Sequence, residues 1–68
     1  MEKVKIETEY IKLEQMMKFA GVADSGSDAK MFIAEGEVKV NGTIELQRGK
    51  KLRHGDTVEF NGKKYVIE

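Results

Sequence analysis

Residues Ser25 to Gly42 read SGSDAKMFIAEGEVKVNG, and the order of signals in this stretch decides the fold. Ser25 stands three residues before Asp28, the spacing of a capping box with the shorter acid in place of Glu. The serine hydroxyl is expected to take an orphan backbone amide, and the Asp28 carboxylate to reach back. Ala29, Phe32 and Ile33 follow at helical spacing and form one apolar face. Gly36 stops that helix, because glycine enters the left-handed conformation of a helix end without steric cost. Val38 and Val40 then alternate with Lys39, which is strand periodicity, and Asn41-Gly42 is a tight-turn signal.

Working upstream, KLEQMMKFAG (Lys12 to Gly21) predicts an earlier helix from Glu9 or Lys12 to Ala20, with Gly21 as its stop. At about 100° per residue, Leu13, Met16, Met17 and Ala20 fall on one stripe. Lys12, Glu14, Gln15 and Lys18 lie off it. Phe19 also lies off it, close to Lys12, and has two readings: packing against the sheet or the N-terminal strand, or a platform for an unpaired base. Val22 to Asp24 are the link, so the two helices form a tight pair. Residues 3–7 alternate as a short strand whose partner the sequence does not identify.

Downstream, Thr43 to Leu46 read as the return strand and residues 47–53 as a polar, basic loop containing Gly49. His54-Gly55-Asp56 is a second turn. Thr57 to Phe60 and Lys63 to Ile67 are strands joined by Asn61-Gly62, the strongest hairpin signal in the chain. The fold class is α+β: two short packed helices with a small, mostly antiparallel sheet.

The chain has 68 residues, which predicts a single domain spanning residues 1–68. Cysteine and proline are absent, so neither a disulfide nor a thiolate metal site is available. The segment MEKVKIETEY is charged and lacks an apolar run, which predicts no signal peptide. No apolar stretch approaches the roughly 20 residues of a membrane-spanning helix. Net charge is zero, unlike the clear basic excess of a general nucleic-acid binder. The distribution is uneven, however. Residues 1–37 carry five basic and eight acidic side chains, residues 38–68 seven basic and four acidic, and RGKKLR (Arg48 to Arg53) four cations without an acid.

Enzyme readings find little support. His54, the one histidine, sits beside a turn glycine as a solvated side chain. Ser25 and Ser27 lack a nucleophile-elbow context. The acids show no metal-ligand spacing, and no phosphate-loop glycine pattern occurs. Met16 and Met17 read as core. No cofactor, metal or small-molecule substrate is expected. The candidate binding residues are instead cations: Lys12 and Lys18 flanking the polar arc of the first helix, Lys30 at the margin of the second, Lys39 pointing away from the buried face, and Arg48, Lys50, Lys51 and Arg53 in the 47–53 segment. A fixed array of such groups grips phosphate oxygens and reads backbone shape.

Taken in order, KLEQMMKFAG, SGSDAKMFIAEGEVKVNG and HGDTVEF (His54 to Phe60) resemble the S4-like RNA-binding domain, the alpha-L motif, and within it the short stand-alone bacterial YaaA/YbcJ type. The match spans about residues 12–60. Val38, Val40, Asn41 and Gly42 stand for the family's V-x-V-N-G element, and Gly55-Asp56 for its later G-D pair. Lys12, Leu13 and Glu14 take the place of Arg-Leu-Asp, and Ser25 that of Ser/Thr. Gly26 stands where an arginine is usual, which removes one phosphate contact and moves the expected grip toward Lys30, Lys39 and the 48–53 segment.

The resemblance implies two helices forming an L-shaped surface with a β-ribbon. It also implies non-enzymatic binding of structured RNA, ribosomal RNA or ribosome precursors, with a role in ribosome maturation, by a cytoplasmic monomer. The competing reading is a protein-binding adapter that keeps the fold without the RNA surface, which zero net charge and Gly26 favour. A ubiquitin-like sulfur carrier needs a Gly-Gly end, whereas this sequence ends Val66-Ile67-Glu68.

Overall fold

Asn41 and Asp56 hold the two halves of the sheet together. In a computed structural model that describes residues 1–68, Asn41 adopts a left-handed φ of 52° at its turn. Its side chain donates to Asp56 Oδ1 at 3.1 Å and accepts from the Thr57 amide at 2.9 Å. Asp56 Oδ2 accepts from the Arg53 amide at 2.8 Å. The N-G and G-D signals, distant in sequence, are thus one hydrogen-bonded joint. Asparagine tolerates the left-handed region better than most residues and carries both a donor and an acceptor.

Around this joint the chain runs β1 (Glu2–Val4), β2 (Tyr10–Lys12), α1 (Leu13–Phe19), α2 (Gly26–Ala34), β3 (Val38–Val40), β4 (Thr43–Ile44), β5 (Lys51–Arg53), β6 (Thr57–Phe60) and β7 (Lys63–Ile67). Five strands form a sheet in the order β1-β7-β6-β3-β4. Only the β1–β7 pairing is parallel. The partner of the N-terminal strand is therefore β7, and the strand covers residues 2–4 rather than 3–7. The β6–β7 hairpin turns at Asn61-Gly62 as expected.

Both helices end in the same way. Gly21 and Gly36 have φ near +78° and +75°. The amides of Val22 and Glu37 return to the carbonyls of Met17 and Phe32, the six-to-one bond of a Schellman motif. Ser25 caps α2 by accepting from the Asp28 amide at 3.2 Å. The Asp28 carboxylate makes no return bond; the reach-back occurs at α1 instead, where Gln15 Oε1 accepts from the Lys12 amide at 3.3 Å.

Thirteen buried residues make one apolar cluster with no charged member. Leu13, Met16 and Met17 enter it from α1, Ala29 and Ile33 from α2, and Val4, Val38, Val40, Val58, Tyr65 and Ile67 from one face of the sheet. Phe32 joins α2 to β6 by tilting over Phe60, with ring centroids 4.8 Å apart. Phe19 does not pack into the core and stays 67% exposed.

The largest departure from expectation is a second, two-stranded sheet. Residues 10–12 do not start the first helix and residues 51–53 are not loop: β2 and β5 pair antiparallel, with Tyr10 opposite Arg53, Ile11 opposite Leu52 and Lys12 opposite Lys51. The return strand after Asn41-Gly42 is correspondingly short, ending at Ile44.

Candidate nucleic-acid interface

The β2–β5 ribbon sorts its side chains by strand alternation. Leu52 is buried and Ile11 half-buried on the core side. Tyr10, Lys12, Lys51 and Arg53 therefore share the opposite face. There, Lys51 Nζ lies 4.9 Å and the Arg53 guanidinium carbon 5.7 Å from the centre of the Tyr10 ring. An aromatic face attracts cations through its quadrupole, by about 0.5–1 kcal/mol at exposed sites. The ring thus holds two like charges close together without a carboxylate to neutralise them.

The segment leading into β5 is anchored by its backbone. The first amides of α1 lack intrahelical partners. Leu13 donates to the Lys50 carbonyl at 2.8 Å and Glu14 to the Arg48 carbonyl at 3.1 Å. Arg48 and Lys50 are consequently fixed beside the start of α1, next to the ribbon. Lys30 of α2 and Arg48 line one shallow depression together with Leu46, Gln47 and Gly49. The fold so brings Lys12, Lys30, Arg48, Lys50, Lys51 and Arg53 into neighbouring positions from three separate segments.

The remaining candidates stand elsewhere. Lys18 Nζ lies over the start of α2, 4.0 Å from where a side-chain carbon on Gly26 would sit. It brings a cation to the place where the family pattern has arginine, beside the Ser25 cap. Lys39 is on the outer face of the five-stranded sheet, opposite Glu59 on one side and Ile44 on the other. It lines a depression that also holds Glu37 and Glu59. The Glu37 carboxyl is held above its ordinary pKa, first by a hydrogen bond with Glu35, then by partial desolvation and the Glu35 charge.

Ion pairing is sparse in the chain, and Lys5 and Lys63 are as free of carboxylate partners as the candidate cations, so position rather than pairing sets the candidates apart. The two ion pairs are Lys3–Glu68 at 3.9 Å and Lys64–Glu59 at 3.8 Å. Lys12, Lys18, Lys30, Lys39, Arg48, Lys50, Lys51 and Arg53 each lack a carboxylate oxygen within 4.0 Å. Asp56, the acid nearest in sequence to Arg53, is occupied by Asn41 and the Arg53 backbone. His54 donates from Nε2 to the Thr8 carbonyl at 3.0 Å, tying the segment before β2 to the turn after β5.

Tyr10 was not among the residues singled out by sequence reading. Tyr10-Ile11-Lys12 and Lys51-Leu52-Arg53 are matching polar-apolar-polar triplets, but three residues are too few to show a strand period until the two are paired.

The S4 domain family matches residues 4–68. The probable ribosome maturation protein RlbA of Bacillus subtilis (strain 168) is 48% identical over 59 residues, covering 87% of this chain and 83% of the relative. YbcJ of Escherichia coli (strain K12) is 42% identical over 53 residues, covering 78% and 76%. The solution structure of Escherichia coli YbcJ, described as revealing an alpha-L motif involved in RNA binding, superposes with a TM-score of 0.74 at 34% identity. It covers 98% of this chain and 86% of that one. The large-subunit pseudouridine synthase B of Bacillus subtilis (strain 168) is 42% identical, but the match spans only 23% of that enzyme.

Proposed function

The chain belongs to the S4 domain family, and from that premise we propose that it binds structured RNA, ribosomal RNA or a ribosome precursor, without catalysing a reaction. The observation that carries this reading is the convergence of Lys12, Lys51 and Arg53 on one ribbon face, with Arg48 and Lys50 anchored beside it and Lys30 next to Arg48, none of them paired with an acid. A net-neutral chain with 12 basic and 12 acidic residues has enough carboxylates to pair every cation. Yet it leaves those of the ribbon, the start of α1 and the edge of α2 free of acid partners. Holding like charges together costs free energy in the unbound protein, and a polyanion relieves that cost.

The mechanism is rigid docking. The β2–β5 ladder and the Leu13 and Glu14 amide bonds fix the ribbon and the 48–50 segment against α1. Lys12, Lys51 and Arg53 then meet phosphates on one side, Lys30, Arg48 and Lys50 beside them, and Lys18 with Ser25 at the start of α2 supply a further contact. Recognition of this kind reads the spacing of phosphates in folded RNA. The action lies in the cytoplasm with the ribosome, and the protein's part in maturation is that of a non-covalent binder.

Co-sedimentation tests the reading. Purified protein is centrifuged through a sucrose gradient with ribosomal particles and their precursors at low salt. Co-migration with particles, lost on Lys50, Lys51 and Arg53 replacement by Glu, is expected. Protein left at the top of the gradient overturns the proposal, and co-migration that survives the charge reversal points to a protein contact.

A further inference from the structure

We propose that the depression between α2 and the 46–49 segment is a subsite for one unstacked nucleobase of the bound RNA. The inference rests on the RNA-binding reading and adds to its phosphate contacts a place where a base is held.

Three observations support it. The first is charge. Of the five main depressions in the surface, four contain acidic side chains: Glu2, Glu7, Glu7 with Glu9, and Glu37 with Glu59. This one has Lys30 and Arg48 at its rim and no carboxylate in its lining. Its volume is about 540 Å³, within the roughly 300–1,000 Å³ of small-ligand sites.

The second is the floor. Ile33, Ala34 and Leu46 form it, and Leu46 is 64% exposed. An aliphatic floor bordered by two cations suits a planar base whose flanking phosphates are anionic. A cationic partner would be repelled by Lys30 and Arg48. Gln47 also lines the space, and its side-chain amide offers a donor and an acceptor to a base edge.

The third is Gly49. Its φ lies outside the left-handed range, and a side-chain carbon built there meets nothing within 4 Å. Neither backbone strain nor crowding therefore requires glycine. Gly49 lines the depression, so a larger side chain there has room to narrow it. The Lys50 carbonyl bond to Leu13 continues directly into β5 and the ribbon, so an RNA strand on the ribbon can place its next unpaired base here.

The experiment uses two probes. In the first, the amide spectrum of the full chain is followed on adding adenosine 5′-monophosphate or ribose 5-phosphate. The nucleotide should shift the Ala34, Gln47, Arg48 and Gly49 amides and bind roughly tenfold more tightly than the sugar phosphate, the gain from covering an apolar floor with one base face. In the second, a ribosomal RNA hairpin with one bulged adenosine is compared with its fully paired counterpart. The bulged form should bind about tenfold more tightly to the parent, and the preference should vanish in Leu46→Asp and in Gly49→Val.

Equal shifts by both small probes, shifts confined to the ribbon, or a bulge preference unchanged in both variants overturns the subsite. Leu46 is exposed, so its variant folds even where Gly49→Val does not. If neither hairpin binds, the RNA reading itself fails. If both bind equally to the parent, that reading stands and the subsite falls.

Discussion

Replacing Lys51 and Arg53 together by alanine removes two cations from the ribbon face while leaving Leu52 in the core. Each phosphate contact contributes about 0.7–0.9 to the slope of log affinity against log salt, so the double variant should be shallower by about 1.4–1.8. If counterion release is the whole of each contact, affinity falls by roughly 70–200-fold at ~50 mM salt and by roughly 10–20-fold at ~200 mM. The gap between parent and variant therefore narrows about tenfold over that range. Fluorescence anisotropy with a labelled ribosomal RNA hairpin at several salt concentrations measures both slopes, and a thermal melt checks that the ribbon is intact. Lys39→Ala is the internal control, because Lys39 sits on the other sheet among Glu37 and Glu59. Parallel slopes for parent and double variant, or an equal flattening by Lys39→Ala, would refute the placement of the contact on the ribbon.

Leu52 is fully buried and is the side chain by which β5 meets the core. Leu52→Ala should cost about 2–5 kcal/mol in urea unfolding; a loss under about 1 kcal/mol would mean that the ribbon is not packed as described. At the sheet joint, Asn41→Gly keeps the left-handed backbone and loses the bonds to Asp56 and Thr57, whereas Asn41→Ala loses both. Alanine should be the more destabilising of the two by chemical denaturation, and the reverse order would show that the left-handed backbone at this position carries no cost for a side chain. Glu37 has a raised folded-state pKa, so its proton is held more tightly in the native state. The associated stability is complete below the ordinary glutamate range and lost as pH rises through the native value. Glu37→Gln should therefore raise Tm at neutral pH and leave it unchanged in acid, which melts at the two pH values can compare; a gain that persists in acid has another cause.

Most of the helical part was legible because its signals are local. Ser25, Gly21, Gly36 and the spacing of Leu13, Met16, Met17, Ala29 and Ile33 each act within one or two turns of backbone. The Asn61-Gly62 hairpin was legible for the same reason. The ribbon was not. Tyr10–Lys12 and Lys51–Arg53 are three residues each, with a single apolar residue between polar ones. Too short to reveal a period alone, they become strands only by pairing with each other across the whole helical region. The charged character of Lys51 and Arg53, which suggested a solvated loop, is what one outward strand face looks like. The membership of Lys12, Lys51 and Arg53 in a cation set could be read from composition. Their common face, and the presence of Tyr10 among them, could not, since both depend on that non-local register. Lys39 shows the converse: its outward direction followed from alternation with Val38 and Val40, but not which of two sheets it would occupy.

The ribbon's long-range pairing has a thermodynamic corollary. In an unfolded chain Lys12 and Lys51 have no fixed relation, so the RNA-competent surface exists only in the native ensemble. Binding and folding are then linked equilibria. RNA present at about a hundred times its dissociation constant would stabilise the native state by about 2.7 kcal/mol, a large share of what a chain of this size has to lose. A core substitution far from any phosphate would weaken apparent affinity simply by depleting the competent population, and the RNA would in turn rescue marginal variants from unfolding.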